Sequence, residues 1–177
     1  MIARLTPHPG STPSFPETVS VDVESDGMKL WLRFLSEEDA DAIVWPAHAV
    51  PGRADELWQH TCFEVFVETL DGYREFNLSP SGQWASYAFD GYRSGMRLAE
   101  EDAEVIGFKA GANWALTAWI DLPPGARRLG LSAVIEDQDG GKTYWALAHP
   151  SDKPDFHHPD SFTLVLPATD ASKERQP

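Results

Sequence analysis

Apolar residues in this chain recur at every second position over short runs and nowhere at sustained helical spacing, which predicts an all-β fold. The clearest run begins at Cys62. Through Thr69, Phe63, Val65 and Val67 share one face while Glu64, Phe66 and Glu68 share the other, the signature of a half-buried strand. Over residues 73–79 the alternation resumes, with Phe76 and Leu78 on one side and Glu75 and Asn77 on the other. Asp71-Gly72 between the runs suits a two-residue type I′ turn, whose central positions both need positive φ. That turn sets Leu70 opposite Tyr73, Val67 opposite Phe76, Val65 opposite Leu78, Glu68 opposite Glu75, Phe66 opposite Asn77 and Glu64 opposite Ser79. A one-residue slip would put carboxylates against the core, so pattern and turn support one register. Glu68 facing Glu75 is its odd feature. Two carboxylates across a ladder repel unless solvent, Arg74 or Arg93, a bound cation or a ligand hydroxyl offsets them.

The rest of the chain reads in the same way. Strands are expected over 19–23, 30–35, 105–110, 114–121, 129–136, 143–148 and 162–166, punctuated by Ser25-Asp26-Gly27, Gly111-Ala112-Asn113, Pro123-Pro124-Gly125 and Asp139-Gly140-Gly141. Residues 36–43 suit a short helical turn capped by Ser36, 43–47 a short strand, 49–56 an irregular loop leading to Trp58, and 94–104 a loop with one helical turn. Pro7, Pro9, Pro13 and Pro16 make residues 1–17 an extended lead-in that lies along a sheet edge, and 168–177 reads as a frayed polar tail. About nine to eleven strands with turns every eight to twelve positions point to one antiparallel β-sandwich over 18–167, jelly-roll or immunoglobulin-like.

Composition narrows the function. With 14 basic and 28 acidic residues the formal charge is −14, a surface that repels phosphate backbones and anionic membranes, so neither nucleic acid nor a membrane is an expected partner. Cys62 is the single cysteine, which excludes an internal disulfide, and no apolar run follows the first Arg. A cytoplasmic protein is expected. The 177 residues carry seven Trp, nine Phe and four Tyr, several at outward strand positions where packing does not demand them.

The succession LW, FEVFVE, a Gly turn, YREFNLSPSG, WALTAWI, LGLSAVIE and YWALAHPSDKPDFHHPDSFTLVL resembles the DOMON-like proteins related to type 9 carbohydrate-binding modules, over Trp58 to Leu166. The resemblance implies a jelly-roll sandwich that binds sugars or haem, with sugar rings held between two Trp side chains and structural calcium elsewhere. In the family the first stacking Trp precedes an acidic strand residue by six positions, as Trp58 precedes Glu64 here. Trp145 is the nearest counterpart of the second, with Trp84 as the alternative, and Glu75, Asn77 and Arg93 match the polar partners by position.

His149, Asp155, His157, His158 and Asp160 crowd the loop before the last strand, and their types suit a transition metal. Their spacing matches no metal motif, so His149 and His157 are read as donors to a ligand or to loop backbone. Asp137, Asp139, Asp152, Asp155 and Asp160 offer oxygens for calcium without a contiguous calcium loop. Met96 with His60 or His149 would be the haem ligands. Glu64, Glu68 and Glu75 invite a glycosidase reading, which needs two carboxylates about 5 Å apart in the retaining case. The expected function is non-catalytic binding of a small carbohydrate or similar polyhydroxylated ligand with no required cofactor. A weak glycoside hydrolase, a haem domain, and a protein-interaction or homo-oligomeric module are the alternatives.

Overall fold

A computed structural model describes residues 1–11, 16–38 and 40–167. The expected tail over 168–177 and part of the lead-in, 12–15, lie outside the described residues. The strands are β1 (Ile2–Pro7), β2 (Val19–Ser25), β3 (Lys29–Ser36), β4 (Gly52–Arg53), β5 (Cys62–Thr69), β6 (Gly72–Leu78) and β7 (Gln83–Phe89), followed by β8 (Arg97–Leu98), β9 (Ala103–Lys109), β10 (Trp114–Asp121), β11 (Arg128–Glu136), β12 (Lys142–Ala146) and β13 (Leu164–Val165). Two 3-10 turns, Leu57–Gln59 and Pro159–Ser161, are the only helical segments among the described residues.

The strands join in the order β4-β7-β6-β5-β11-β12-β1-β2-β3-β10-β9, with β13 on β11 and β8 on β7. The chain is therefore all-β, but two separate antiparallel sheets are not what forms. β1 pairs through Ile2–Leu5 with β2 and through Thr6 and Pro7 with β12, so one sheet continues around that side and folds back on itself. β7 and β9 approach at the other side, which nearly closes the sheet like a barrel. The β4–β7 pair is parallel. The N-terminal segment is thus an interior strand, not an edge: Ala3 and Leu5 alternate inward, and both are buried.

Inward residues of the two layers form one core. Phe34 of β3 meets Phe63 of β5 at 4.9 Å between ring centroids, and Phe63 meets Trp114 of β10 at 5.4 Å. Val65, Val67, Phe76, Leu78, Leu129, Leu131, Ile135 and Trp145 are further contributions of the second layer. Each such side chain contributes ~1.5–3 kcal/mol on burial, which is why the alternation is obeyed strand after strand.

The β5–β6 hairpin has the expected faces and a different register. Thr69 pairs with Gly72, Phe66 with Glu75 and Glu64 with Asn77, two residues away from the sequence expectation. Leu70 and Asp71 occupy the turn, held by the Thr69 hydroxyl donating to Asp71 at 2.7 Å, and neither has positive φ. Gly72 follows the turn with φ 134°, where an added Cβ would lie 1.9 Å from the Phe89 carbonyl oxygen. The glycine is required one position later than the turn rule suggests. Glu68 and Glu75 are consequently not opposed; Glu68 faces Tyr73 and forms a two-pronged ion pair with Arg128, both bonds 2.7 Å. Residues 36–43 make no helix among those described: Ser36 ends β3 and its hydroxyl accepts from the Glu38 N–H at 3.2 Å. Residues 43–47 contribute one bridge, Ile43 to Asp137, in place of a strand. The loop over 94–104 holds β8 and the start of β9.

Candidate functional site

The outward face of the layer β7-β6-β5-β11-β12 carries polar groups where a solvated sheet would carry exposed ones, yet here they are buried. Register explains which side chains meet: Asn77 lies between Glu64 and Ala85, Glu75 between Phe66 and Tyr87, and Tyr73 between Glu68 and Phe89. Across β5, Glu64 faces Ser132, and across β11, Val134 faces Tyr144. Three loops rise around this floor. The 3-10 turn supplies Trp58, the loop after β7 supplies Arg93 and Met96, and the loop after β12 supplies Pro154, Phe156 and His157. Together they enclose a cavity of about 470 Å³, within the size range of small-molecule sites.

The floor is a hydrogen-bonded chain. The Arg93 N–H donates to the Tyr73 hydroxyl at 3.2 Å, so that hydroxyl sends its own hydrogen to His157 Nδ1, 2.7 Å away. This assignment leaves a neutral ring with its hydrogen on Nε2, which points toward Glu75 Oε2 at 3.7 Å, too far for a hydrogen bond. Burial and then the nearby Arg93 hold the His157 pKa down to about 4, in keeping with a neutral ring. Glu75 Oε1 accepts from Asn77 Nδ2 at 2.9 Å, and its other oxygen is free for the cavity. Burial raises the Glu75 pKa against the lowering effects of Asn77 and Arg93.

Glu64 is 4% exposed and makes no hydrogen bond with any described residue. Its pKa is pushed well above the carboxylate range by burial first and by Glu75 second, while Arg93 pulls it down. The Ser132 hydroxyl opposite acts with Arg93 but does not meet hydrogen-bond geometry. Arg93 itself donates to Asp155 Oδ1 at 2.8 Å, and Tyr92 donates to the other oxygen at 2.6 Å. Burial is the largest single influence and lowers the Arg93 pKa, but the hydrogen bond and charge of Asp155 together with those of Tyr92 outweigh it, and the net direction is upward.

Five of the nine residues singled out from the sequence, Trp58, Glu64, Glu75, Arg93 and His157, line this cavity. Asn77 stands behind them, fully buried, orienting Glu75. The other three lie elsewhere. Trp145 is 0% exposed in the inter-layer core, its indole N–H donating to Thr143 Oγ1 at 3.0 Å, so it cannot stack on a ligand. Trp84 packs on the same core with the Arg53 guanidinium 4.5 Å from its ring centroid. His149 bonds the Thr6 carbonyl at 2.8 Å and ties the end of β12 to β1. The aromatic walls missed from the sequence are Tyr87, Phe89, Tyr144 and Phe156. Tyr144 was findable, because strand parity puts it on the face opposite Trp145.

Among the described residues no three His, Cys, Asp or Glu side chains are placed to share a metal ion. Asp137 instead closes its own turn, accepting from the N–H groups of Asp139 and Gly141, and His158 accepts from the Asp160 N–H as a cap. Of the haem ligands considered, Met96 lines the cavity while His60 bonds Glu136 at 2.9 Å and His149 is engaged with Thr6.

Backbone strain concentrates beside the cavity. The two non-glycine described residues with positive φ are Glu56, at 60°, and Arg93, at 51°. Glu56 sets the start of the turn that presents Trp58, and Arg93 holds its guanidinium toward Asp155. Such left-handed residues cost on the order of 1–2 kcal/mol each and persist where the surroundings over-determine them.

No family model matches the sequence, and no curated protein matches it either. Among solved structures, the chain is similar to the crystal structure of a proposed carbohydrate-binding protein from Bacteroides uniformis, at 14% sequence identity and a TM-score of 0.57, covering 92% of this chain and 84% of that one. That similarity is one of fold.

Proposed function

We propose that this protein binds a small carbohydrate or a similar polyhydroxylated ligand in the cavity beneath Trp58, without chemistry of its own. One observation carries the reading: groups that only accept, Glu75 Oε2 and the Glu64 carboxylate when ionised, face groups that only donate, Arg93 and His157 Nε2–H, inside aromatic walls. A sugar presents C–H faces that pack on rings and hydroxyls that both donate and accept, so it satisfies this set without leaving a group unpaired. The fold shared with a proposed carbohydrate-binding protein supports the same reading, as does the sequence resemblance to DOMON-like proteins and type 9 modules. A cytoplasmic location, no required cofactor, and no nucleic-acid or membrane partner belong to this proposal.

Trp58 is half exposed at the rim and is the single tryptophan of the cavity lining, so it reports occupancy directly. Titration with a panel of mono- and disaccharides is expected to give a saturable change in tryptophan fluorescence. Trp58→Ala should weaken binding tenfold or more and leave the circular dichroism spectrum unchanged. Full affinity in that variant, followed by calorimetry, would remove the site assignment.

A further inference from the structure

We propose that the ligand of this cavity carries a protonated amine on its hydroxylated frame, with the ammonium seated between Glu64 and Glu75. The proposal rests on the sugar-like reading above and narrows it to a cationic class.

A tally of the charged groups at the cavity leads there. Arg93 and Lys142 are its cationic lining residues, and each is already engaged: Arg93 with Asp155 at 2.8 Å, Lys142 with the Gln59 carbonyl. His157 spends Nδ1 on the Tyr73 hydroxyl and is neutral. Glu75 has one oxygen bound to Asn77 and one free. Glu64, 96% buried by difference from its 4% exposure, faces the cavity with no hydrogen bond from any described residue. Buried carboxylates are ordinarily paired, so an unpartnered one on a cavity floor marks a place for a donor that the protein does not supply.

The geometry selects a cation over a neutral donor. Glu75 lies two positions along β6 from Asn77, which is directly opposite Glu64, so the two carboxylates are diagonal neighbours whose backbones stand roughly 7–8 Å apart. A neutral hydroxyl leaves the pair either protonated or facing each other as two like charges in a low-dielectric pocket, and it gains no charge attraction in either case. An ammonium turns that repulsion into two attractions, and its three hydrogens suffice for both acceptors. The rings of Trp58, Tyr87, Tyr144 and Phe156 add faces that attract cations. A formal charge of −14 concentrates cationic ligands around the protein.

The test uses matched pairs that differ by one nitrogen: glucose against glucosamine and sorbitol against glucamine, with N-acetylglucosamine as the uncharged control. Calorimetry on the intact protein, at a pH where the amines are charged, is expected to show each amine binding at least tenfold tighter than its neutral partner. Glu64→Gln should weaken each amine at least tenfold more than its neutral partner, so that the preference within each pair is lost; Glu75→Gln serves as the second variant if the first does not fold. Glu64 interacts electrostatically with Glu75, Arg93 and the Cys62 thiol, while Lys142, His157 and Tyr87 stand elsewhere on the cavity lining, and the proposal places the charge change on amine binding at the two carboxylates. Repeating the titration in buffers of different ionisation heat should therefore show a proton released with the amine and none with glucose. Equal affinities within each pair, or a preference that survives both variants, overturns the amine assignment alone. Failure of every compound, charged and neutral, overturns it together with the sugar-like reading.

Discussion

Glu64 is the residue on which the site turns, because its burial without a partner is tolerable only if the carboxyl is protonated or a ligand is bound. In the free protein its pKa, like that of Glu75, is raised by burial, and the linkage sign follows. The folded state holds protons that the unfolded state releases, so the stability from this pair is fully present below the ordinary carboxylate value of 4.5 and is lost as pH rises through the raised value. His157 works the other way. Its pKa falls from 6.5 to about 4, so its contribution is complete above 6.5 and lost as pH drops through 4. Glu64→Gln removes Glu64's share of the first slope. The variant is expected to melt several degrees above the wild type at pH 8, at about 2–4 °C per kcal/mol for a chain of this size, with the gap closing toward pH 4.5. Thermal melts of both proteins from pH 4 to 9 check this, and a gap independent of pH would mean that Glu64 is not held protonated in the folded state.

At the scale of single strands, β12 separates the two roles that tryptophan and tyrosine play here. Its alternation sends Trp145 to the core and Tyr144 to the cavity wall. The aromatic residue that the family resemblance suggests for stacking is therefore the one that packing claims, and its neighbour faces the site. Trp145→Ala should cost ~3–5 kcal/mol of stability, the usual range for emptying a large buried aromatic site. Tyr144→Ala should cost far less stability and instead lower ligand affinity. Urea unfolding alongside sugar titration of both variants separates these effects, and reversed outcomes would exchange the assignments. The same strand logic shows how the hairpin register moved. Gly72 is the special residue between β5 and β6, as the turn pattern implies, but its place after the turn, with φ 134°, shifts the pairing by two positions. A shift of two preserves parity, so the faces survive while the cross-strand partners change.

For the whole molecule, β1 is the element that makes two layers into one sheet. It bonds β2 with its first four residues and β12 with its last two, and the His149–Thr6 contact reinforces the same join. Removing residues 1–7 would strip hydrogen bonds from both layers at once and uncover the core that Ala3 and Leu5 cover. The truncated chain is expected to lose at least ~3 kcal/mol and to bind a hydrophobic dye, because the layers part along that side. An unchanged urea midpoint would show instead that the N-terminal strand is a dispensable edge.

The primary structure by itself determined the all-β class, the strands and their inward faces, since apolar alternation is a local pattern that burial must obey. Together with the family resemblance, it also singled out Trp58, Glu64, Glu75, Arg93 and His157, which the fold brings to one cavity. Only the tertiary structure decided that Glu64 and Glu75 are diagonal and buried, that Trp145 belongs to the core, and that residues 2–7 lie inside the sheet. These depend on which distant strands and loops close over one another. Pairing across the sheet is set by turn geometry and by long-range packing, and neither is written in the period of the residues concerned.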